Sequence, residues 1–204
     1  MAGFLTAVFV TDDGSDLAET LEVAGCALRG GATAIVVRRP RSTARDVFEL
    51  TRQLRPATRR LGCMLIVHDR IDVAVAADAD GVHLSSRSVP VAAARRVSGN
   101  LKIGYSVHNL DEVGQAEESG VDYVFLGSVF PTRSHPEGQP LGIEAFQEAA
   151  LRTSIEICAI GGIDVNNVGE IANAGGRGAA AIRAYYESDD PAETARAFRA
   201  AFGT

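Results

Sequence analysis

The chain has 204 residues, of which 46% are hydrophobic and 23% charged, and its formal net charge is −6. This composition is typical of a soluble globular protein, and the negative charge argues against a general nucleic-acid surface or an anionic-membrane surface. Cys26, Cys63 and Cys158 are far apart in apolar surroundings, which predicts buried thiols in a reducing compartment. No apolar run approaches the ~20 residues of a membrane span, and no basic region precedes the first apolar run. We therefore expect a cytoplasmic protein without a leader peptide.

Eight short apolar runs rich in β-branched residues recur along the chain. In order they are LTAVFVT, TAIVVR, CMLIVH, DGVHLS, LKIGYS, DYVFLG, IEICAIGG and GAAAIRA, with segments of helical spacing between them. Strands that are continuously apolar, rather than alternating, are typical of a parallel sheet covered by helices. Eight strand–helix units without a linker predict an α/β fold, a closed (β/α)8 TIM barrel, as a single domain over residues 1–204. A flavodoxin-like open sheet is the alternative, but it would leave about three strand patterns unplaced.

Polar and glycine residues gather where these predicted strands end. In a barrel of this type the chemistry lies at the carboxyl ends of the strands, where loops from every unit meet. Turns alone also need such residues, but eight strand ends together predict a functional site at one face. In chain order the strand ends supply Thr11, Asp12 and Asp13; Arg38 and Arg39; His68 and Asp69; Ser85 and Ser86; Ser106 and His108; Gly127 and Ser128; Gly161 and Gly162; and Arg183.

The segment CAIGGI, residues 158–163, predicts an anion site. Gly161 and Gly162 at a strand end allow backbone N–H groups to approach an anion without obstruction by a Cβ atom. The sequence DVNNV that follows predicts a helix opened by Asp164, whose N-terminus favours negative charge. Barrels commonly hold phosphate in the loops after the seventh and eighth strands, and Arg183 follows the eighth. The expected ligand is therefore a phosphorylated small molecule, and a turn needed only for chain reversal is the alternative.

The four histidines lie in positions that suggest different chemistry. His83 lies inside the pattern DGVHLS and is expected to point into the barrel as a hydrogen-bonded core residue. His68 lies next to Asp69, which would orient its imidazole for substrate contact. His135 lies on a Pro- and Gly-rich loop that either closes over a substrate or is simply exposed. His108 follows the fifth strand, where it either caps the next helix or acts as acid and base, since an imidazole pKa near ~6.5 suits both roles.

Four segments carry a resemblance to a known family. They are HDRIDVAVAADADGVHL, IGYSVHNLDEVGQAEESGVDYVFLGSVFPT, LGIEAF and AIGGIDVNNVGEIANAGGRGAA. Long, ordered and jointly matched, they make the chain similar over nearly its whole length to the thiamine phosphate synthase superfamily, which includes the synthases and the TenI-like thiazole tautomerases. The resemblance implies a (β/α)8 barrel that acts on a thiazole phosphate in thiamine biosynthesis. It does not decide which reaction the chain performs.

Two cationic positions of the synthase pattern are lost. The family's glutamine-leucine-arginine-x-lysine motif after the second strand reads VVRRP at residues 36–40, which keeps Arg38 and loses the glutamine and the lysine. The threonine-x-threonine-lysine segment after the sixth strand reads TRSH at residues 132–135 and loses another lysine. Cations stabilise pyrophosphate as it leaves, so these changes weaken the subsite for the pyrimidine diphosphate.

One of the two metal carboxylates is also lost. The asparagine–aspartate pair after the third strand reads His68–Asp69, which keeps one possible magnesium ligand. The glycine-glutamine-x-aspartate segment after the fourth strand reads SSRS at residues 85–88, so Ser88 takes the place of the second carboxylate. Magnesium prefers carboxylate oxygens, and this change favours the tautomerase branch over the synthase.

We therefore predict an isomerase, a TenI-like tautomerase that aromatises a carboxythiazole phosphate. In that branch the resemblance implies His108 as the catalytic residue that moves the proton. The first alternative is a thiamine phosphate synthase, a transferase, with Asp69 and solvent holding Mg²⁺ and Arg39 or Arg87 supplying charge for the phosphates. The second alternative is a non-catalytic regulatory protein that binds thiazole phosphate.

Substrate and phosphate binding is assigned to residues at the other strand ends. The expected partner is a small phosphorylated thiazole, with no nucleic acid and no membrane; a homo-oligomer is compatible with the fold, and the sequence does not fix the oligomeric state. The tautomerase needs no metal and no cofactor, whereas the synthase would need Mg²⁺ at Asp69. The predicted binding residues are Arg38, Asp69, Ser106, Gly127, Thr132, Gly161, Gly162, Ile182 and Arg183.

Overall fold

Eight parallel strands close into a barrel in the computed structural model, which describes residues 3–133 and 138–204. The strands pair in chain order, and the last strand pairs with the first in the register Val8↔Ala180. This closure confirms the (β/α)8 prediction and excludes the open flavodoxin-like sheet. The strands are β1 (Ala7–Val10), β2 (Ala34–Val37), β3 (Met64–His68), β4 (Gly81–Leu84), β5 (Lys102–Val107), β6 (Tyr123–Leu126), β7 (Glu156–Ile160) and β8 (Gly178–Ala181).

A helix follows each strand, and two helices follow the last one. None of the helices in the described ranges is both long and apolar enough to cross a membrane. The helices are α1 (Leu17–Arg29), α2 (Ala44–Leu61), α3 (Ile71–Ala76), α4 (Val91–Val97), α5 (Leu110–Glu118), α6 (Ile143–Arg152), α7 (Val168–Asn173), α8 (Arg183–Tyr186) and α9 (Pro191–Ala201).

Short polar side chains fix where the longer helices begin. The side chain of Asp16 accepts a hydrogen bond from the Glu19 N–H at the start of α1. Thr43 and Asp46 form a capping box at the start of α2, which satisfies two of the N–H groups that a helix start leaves unpaired. Gly62 ends α2 in the left-handed region, at φ 65°, where glycine carries no steric penalty. These ends position the strand-end loops.

The prediction of a helix opened by Asp164 is wrong, because α7 begins at Val168. The Asp164 carboxylate accepts hydrogen bonds from the N–H groups of Asn166 and Asn167, at 2.8 and 3.3 Å. The Asn167 side chain in turn accepts from the Asp164 N–H at 2.9 Å. The Asp164 carbonyl also accepts from the Val168 N–H at 3.0 Å, so residues 164–167 form a side-chain-bonded turn that leads into α7.

Two hydrophobic clusters fill the molecule. The larger one lies between the outer faces of the strands and the helices, and it includes Phe146, Tyr185 and Phe198. The smaller one fills the inside of the barrel with large and small side chains in alternation, as barrel interiors require. Its buried members are Leu5, Val8, Val10, Ala34, Val36, Ile66, Tyr123, Phe125, Cys158 and Ala180.

The amino end of the barrel is closed by side chains. Tyr123 is fully buried there, with the ring of Phe4 edge-on to it at 5.7 Å between centroids. A Cβ atom at Gly104 would lie 2.0 Å from the Tyr123 ring, so only glycine fits beside that ring. Lys102 and Asp122 form an ion pair at 3.0 Å on this rim. Ligands therefore have access from the opposite end, which we call the mouth.

The three cysteines are free thiols. Cys63 and Cys158 are buried, as predicted, whereas Cys26 on α1 is half-buried. Burial raises the pKa of the Cys63 thiol to about 12. A thiol with so high a pKa carries almost no thiolate at neutral pH and is chemically inert.

Candidate active site

Strand alternation directs one set of predicted residues into the mouth. Side chains two residues apart point to the same face of a strand, and the barrel-filling residues Val36, Ile66 and Phe125 point inward. On these three strands, β2, β3 and β6, the residue two positions further along therefore points into the mouth. These positions, with the inward residues of β4, β5 and β8, are Arg38, His68, His83, Ser106, Gly127 and Ile182.

His83 and Ser106 form a hydrogen bond at the base of the mouth. His83 on β4 is 2% exposed, and its Nε2 atom lies 2.9 Å from the Ser106 Oγ atom on β5. The ring of Phe125 packs against the imidazole at 4.3 Å between centroids. The prediction that His83 is an inward, hydrogen-bonded core residue is confirmed. Burial lowers the pKa of His83 well below its usual value, so this imidazole is neutral.

His68 is the register partner of His83 on the neighbouring strand β3, and the two rings stack. The two ring centroids are 6.1 Å apart, and the His68 Nδ1 atom lies 3.4 Å from an Asp69 oxygen. Burial lowers the pKa of His68, Arg38 and Arg87 lower it further, and Asp69 opposes them. Both guanidinium groups therefore lie close enough to act on the mouth. We conclude that positive charge from two loops converges on this imidazole.

Asp69 presents its carboxylate to the loop after β4. Ser85 Oγ donates to the two carboxylate oxygens at 3.2 and 3.3 Å, and Ser88 Oγ donates to one of them. The backbone of Asp69 lies in the left-handed region, at φ 58°, which Asp tolerates better than most residues. Its N–H donates to the His83 carbonyl at 2.9 Å. These contacts fix the carboxylate at the edge of the mouth.

The side-chain oxygens at the mouth fit a magnesium ion only if the substrate supplies some of its ligands. Within residues 3–133 and 138–204, no group of three or more His, Cys, Asp or Glu side chains is placed to share a metal. Mg²⁺ in phosphate-handling sites uses one or two carboxylates, and water and substrate oxygens complete its octahedron. Asp69 meets this minimum. The site therefore fits magnesium held jointly by Asp69 and a bound diphosphate, and it does not fit a cage of protein ligands.

Arg39 and Arg87, the two candidate replacements for the lost lysines, differ in their surroundings. The Arg39 Nη2 atom donates to the Ser15 carbonyl at 2.5 Å and to Thr20 Oγ1 at 2.9 Å, so it ties β2 to the start of α1. Arg87 is exposed on the loop after β4, and its charge acts on His68. Arg39 is therefore held by protein groups, and Arg87 is the exposed residue of the two.

His108 lies at the end of β5 with its ring held by a backbone carbonyl. Its Nδ1 atom is 2.7 Å from the Gly127 carbonyl oxygen. A carbonyl only accepts, so Nδ1 carries a hydrogen that it donates to Gly127. Asn109 caps α5, accepting from the Glu112 N–H at 2.9 Å, so His108 is not the capping residue.

Gly127 and the glycine pair Gly161–Gly162 are required by close backbone packing. A Cβ atom at Gly127 would lie 2.0 Å from the Ile160 carbonyl oxygen. Gly161 and Gly162 have φ values of 95° and 69°, and a Cβ atom at Gly162 would lie 2.5 Å from the Pro131 carbonyl oxygen. The glycine loop thus packs against the loop after β6. This packing explains the pair without a ligand, so their role as an anion site stays a prediction.

Arg183 connects the loops after β6 and β8. Its Nη2 atom donates to Thr132 Oγ1 at 2.9 Å, and its Nε atom lies 3.9 Å from a Glu187 oxygen. Ile182 is half-buried and packs on the inner cluster beside them. The structure therefore brings Thr132, Ile182 and Arg183 together on one side of the mouth. His135 lies outside the described residues.

Sequence reasoning placed His83 in the core and missed its contact with Ser106. The two residues are 23 positions apart, and only the β4–β5 register, which pairs His83 with Gly104, brings them together. The sequence feature that could have revealed this contact is that both residues occupy inward-pointing positions near the ends of neighbouring strands.

Known proteins similar to this chain agree on one family. Residues 7–185 match the family model described as thiamine monophosphate synthase. A thiamine-phosphate synthase of Chloroflexus aurantiacus is 42% identical over 175 residues, which are 85% of this chain and 81% of that protein. A thiamine-phosphate synthase of Pyrococcus furiosus is 40% identical over 164 residues, 80% of this chain and 79% of that protein.

Solved structures give the same result at the level of the fold. Thiamine phosphate pyrophosphorylase from Pyrococcus furiosus superposes with a TM-score of 0.89 and 35% identity, covering 98% of this chain and 96% of that one. A 3-hexulose-6-phosphate synthase superposes with a TM-score of 0.73 over 97% of this chain and 100% of that one. At 17% identity, the second likeness shows the barrel alone.

These comparisons overturn the predicted tautomerase. Relatives that match most of the chain at about 40% identity are named thiamine-phosphate synthase, and the solved structure at 35% identity is named thiamine phosphate pyrophosphorylase. The prediction of an isomerase that aromatises a carboxythiazole phosphate is therefore wrong. The comparisons do not test the catalytic role given to His108, which stays a prediction. The chain belongs to the thiamine monophosphate synthase family.

Proposed function

We propose that this protein is a thiamine-phosphate synthase, a transferase. It would join the pyrimidine of hydroxymethylpyrimidine diphosphate to thiazole phosphate. The thiazole nitrogen forms a bond to the pyrimidine methylene carbon, and the bond from that carbon to the diphosphate oxygen breaks with its electron pair. The products are thiamine phosphate and pyrophosphate, so atoms and charge balance without an oxidant or a reductant.

One juxtaposition carries the proposal. Arg38, Asp69 and Ser106 meet around the two stacked imidazoles at the mouth, since Arg38 and Asp69 act on His68 and Ser106 bonds His83. A cation, a carboxylate and a hydroxyl in one place are the groups that a magnesium diphosphate requires.

The arginines and Asp69 would handle the leaving diphosphate. Arg38 and Arg87 would neutralise its phosphate oxygens, with Arg87 on its loop supplying charge that the missing lysines would otherwise give. Asp69 would hold the magnesium ion, which when bound offsets negative charge as pyrophosphate departs. Charge stabilisation of this kind is usually the largest single contribution to such a reaction.

The opposite side of the mouth would hold the thiazole phosphate. Arg183 and Thr132, which follow β8 and β6, are hydrogen-bonded, and the glycine pair packs against the loop after β6. A guanidinium paired with a hydroxyl suits a phosphate monoester, which accepts several hydrogen bonds. This arrangement would place the two substrates on facing walls.

Supplying both substrates and magnesium to the purified protein tests the function. Mass spectrometry should detect thiamine phosphate, and a pyrophosphate assay should detect an equal amount of pyrophosphate. Each product should require both substrates. If neither product exceeds the enzyme-free control, the chain is not a synthase.

Replacing Asp69 with asparagine should raise the magnesium concentration for half-maximal activity by ~10-fold or more. The amide keeps the shape of the side chain but loses the charge that binds the metal, and losing even an indirect partner of a metal typically costs 10–100-fold in affinity. A magnesium titration of initial rates measures the change. Asp72→Asn is the matched control, because Asp72 is exposed on α3 and pairs with Arg70. The same magnesium requirement in both variants would remove Asp69 from the metal site.

Replacing Arg183 with serine should weaken binding of thiazole phosphate by ~10-fold, the size of one charge-assisted hydrogen bond. The variant should also be less sensitive to salt, since ions screen an exposed charge pair. Inhibition or binding assays between 50 and 500 mM salt would report both effects. Arg152→Ser on α6 is the control, because Arg152 is exposed and pairs with Glu148. Equal affinity at every salt concentration would show that Arg183 does not touch the phosphate.

A further inference from the structure

The buried pair His83–Ser106 has a defined direction of hydrogen bonding. His83 is 2% exposed, so solvent does not reach its ring. Its Nε2 atom contacts Ser106 Oγ at 2.9 Å, and its Nδ1 atom is buried with no hydrogen-bond partner in the part of the chain that the structure describes. The ring lies between Phe125, at 4.3 Å, and His68, at 6.1 Å between centroids. The imidazole therefore has one polar contact.

The tautomer of His83 follows from that single contact. A neutral imidazole has one N–H donor and one bare nitrogen acceptor. A buried N–H without an acceptor is rarer and costlier than a buried acceptor without a donor. The hydrogen therefore belongs on Nε2, where Ser106 Oγ accepts it, and the enclosed Nδ1 is the bare nitrogen. A second hydrogen, on Nδ1, would have no acceptor in this enclosed position, so the ring carries only one hydrogen.

The Ser106 hydroxyl is then left with its own hydrogen to donate. It accepts from His83, and within residues 3–133 and 138–204 it makes no other side-chain hydrogen bond. Ser106 is half-buried and faces the mouth, so a ligand can reach that hydrogen. Without His83, the hydroxyl would be free to rotate and donate in another direction.

We infer that His83 is a positioning residue that fixes the Ser106 hydroxyl as a hydrogen-bond donor to an oxygen of the pyrimidine diphosphate. The inference rests on the proposed function for the identity of that substrate. A diphosphate oxygen only accepts hydrogen bonds, so it needs a donor whose hydrogen already points outward. Arg38, the inward residue that follows β2, would supply a cation at the same mouth.

Packing alone would also account for a buried histidine, and the two explanations differ in what they predict. If His83 only fills space, phenylalanine should replace it without loss of diphosphate binding. If His83 orients Ser106, the phenylalanine variant should bind pyrophosphate ~10-fold more weakly, the effect of one misdirected bond to a charged group. Glutamine at this position keeps an N–H donor and should restore part of that affinity.

The tautomer is tested directly by nitrogen NMR on the unmodified protein. With ¹⁵N-labelled histidine, His83 should show a protonated Nε2 and a bare Nδ1 at pH 7. A hydrogen on Nδ1, or a doubly protonated ring, would overturn the inference. This measurement needs neither substrate nor activity, so it remains decisive if a substituted protein does not fold.

A double-mutant cycle with inorganic pyrophosphate tests the route through Ser106. Calorimetry would compare the parent, His83→Phe, Ser106→Ala and the double variant, each checked for a normal thermal unfolding transition. The ~10-fold effect of His83→Phe should disappear once Ser106 is alanine, since the hydroxyl that it orients is gone. Equal losses in both backgrounds, or no pyrophosphate binding by the parent, would overturn the inference. An inactive protein that passes the NMR test and this cycle would refute the synthase proposal alone.

Discussion

Replacing Arg38 with glutamine should reduce kcat/KM for the pyrimidine diphosphate by ~10² to 10³-fold, the usual effect of removing one group that stabilises transition-state charge. Arg38 is the inward residue that follows β2, and its charge acts on both His68 and His83. Glutamine keeps polarity but carries no charge to balance the departing diphosphate. Steady-state rates at saturating thiazole phosphate and magnesium measure the loss.

The matched control is Arg60→Gln, which removes an exposed guanidinium from the outside of α2. It changes the net charge by the same amount as Arg38→Gln and should leave the rate within ~2-fold of the parent. If both variants retain nearly full turnover, the inward cation has no part in the reaction and the diphosphate must lie elsewhere.

Replacing Gly178 with alanine should lower the free energy of unfolding by about 3 kcal/mol, the upper end of the usual cost of overpacking. Gly178 is buried at the start of β8, and an added Cβ atom would lie 1.7 Å from the Leu5 carbonyl oxygen. Backbone cannot move aside as a flexible side chain does, so the strand pairing that closes the barrel must shift. Urea denaturation followed by circular dichroism gives the change.

Gly114→Ala is a control that should change the free energy of unfolding in the opposite direction. Gly114 lies inside α5, and a Cβ atom there would meet no heavy atom within 4 Å. Alanine favours the helix over glycine by up to ~1 kcal/mol, so this variant should be more stable than the parent. A Gly178→Ala protein as stable as the parent would show that the β8 backbone has more room than the structure gives it.

The fold and part of the site could be predicted from local patterns. Eight apolar runs without a linker leave few ways to bury both faces of each strand, and a closed barrel is the one that uses them all. Alternation along a strand then fixes which strand-end residues face inward. Arg38, Ser106 and Gly127 share that inward parity, so their convergence was predictable from the strand ends.

Contacts set by strand register and loop direction could not be predicted in this way. Arg39 could point to a ligand or back to α1, and the sequence pattern does not place the backbone carbonyls that decide this. In the structure, Arg39 donates to the Ser15 carbonyl. The α7 start was placed too early, because Asp164 and Asn167 bond each other's N–H groups in a turn that precedes the helix.

The tautomerase was predicted because several residues of the synthase motifs are absent from this chain. The absence of a lysine at one position removes a charge only if no other residue supplies it. Arg87 lies outside the motif lysine positions, yet its charge acts on His68. Electrostatic stabilisation depends on where charge lies in space, and several sequence positions can place it at the same point.

The chain contains one lysine, Lys102, and it lies on the closed rim of the barrel, paired with Asp122. Reagents that acylate side-chain amines therefore have a single target, at the end remote from the substrate opening. A dye or a surface linker attached there would leave the arginine-lined mouth unmodified. Only the ion pair would be lost, and a half-exposed pair of this kind contributes about 1 kcal/mol or less. Protein immobilised through Lys102 should thus present its opening away from the surface.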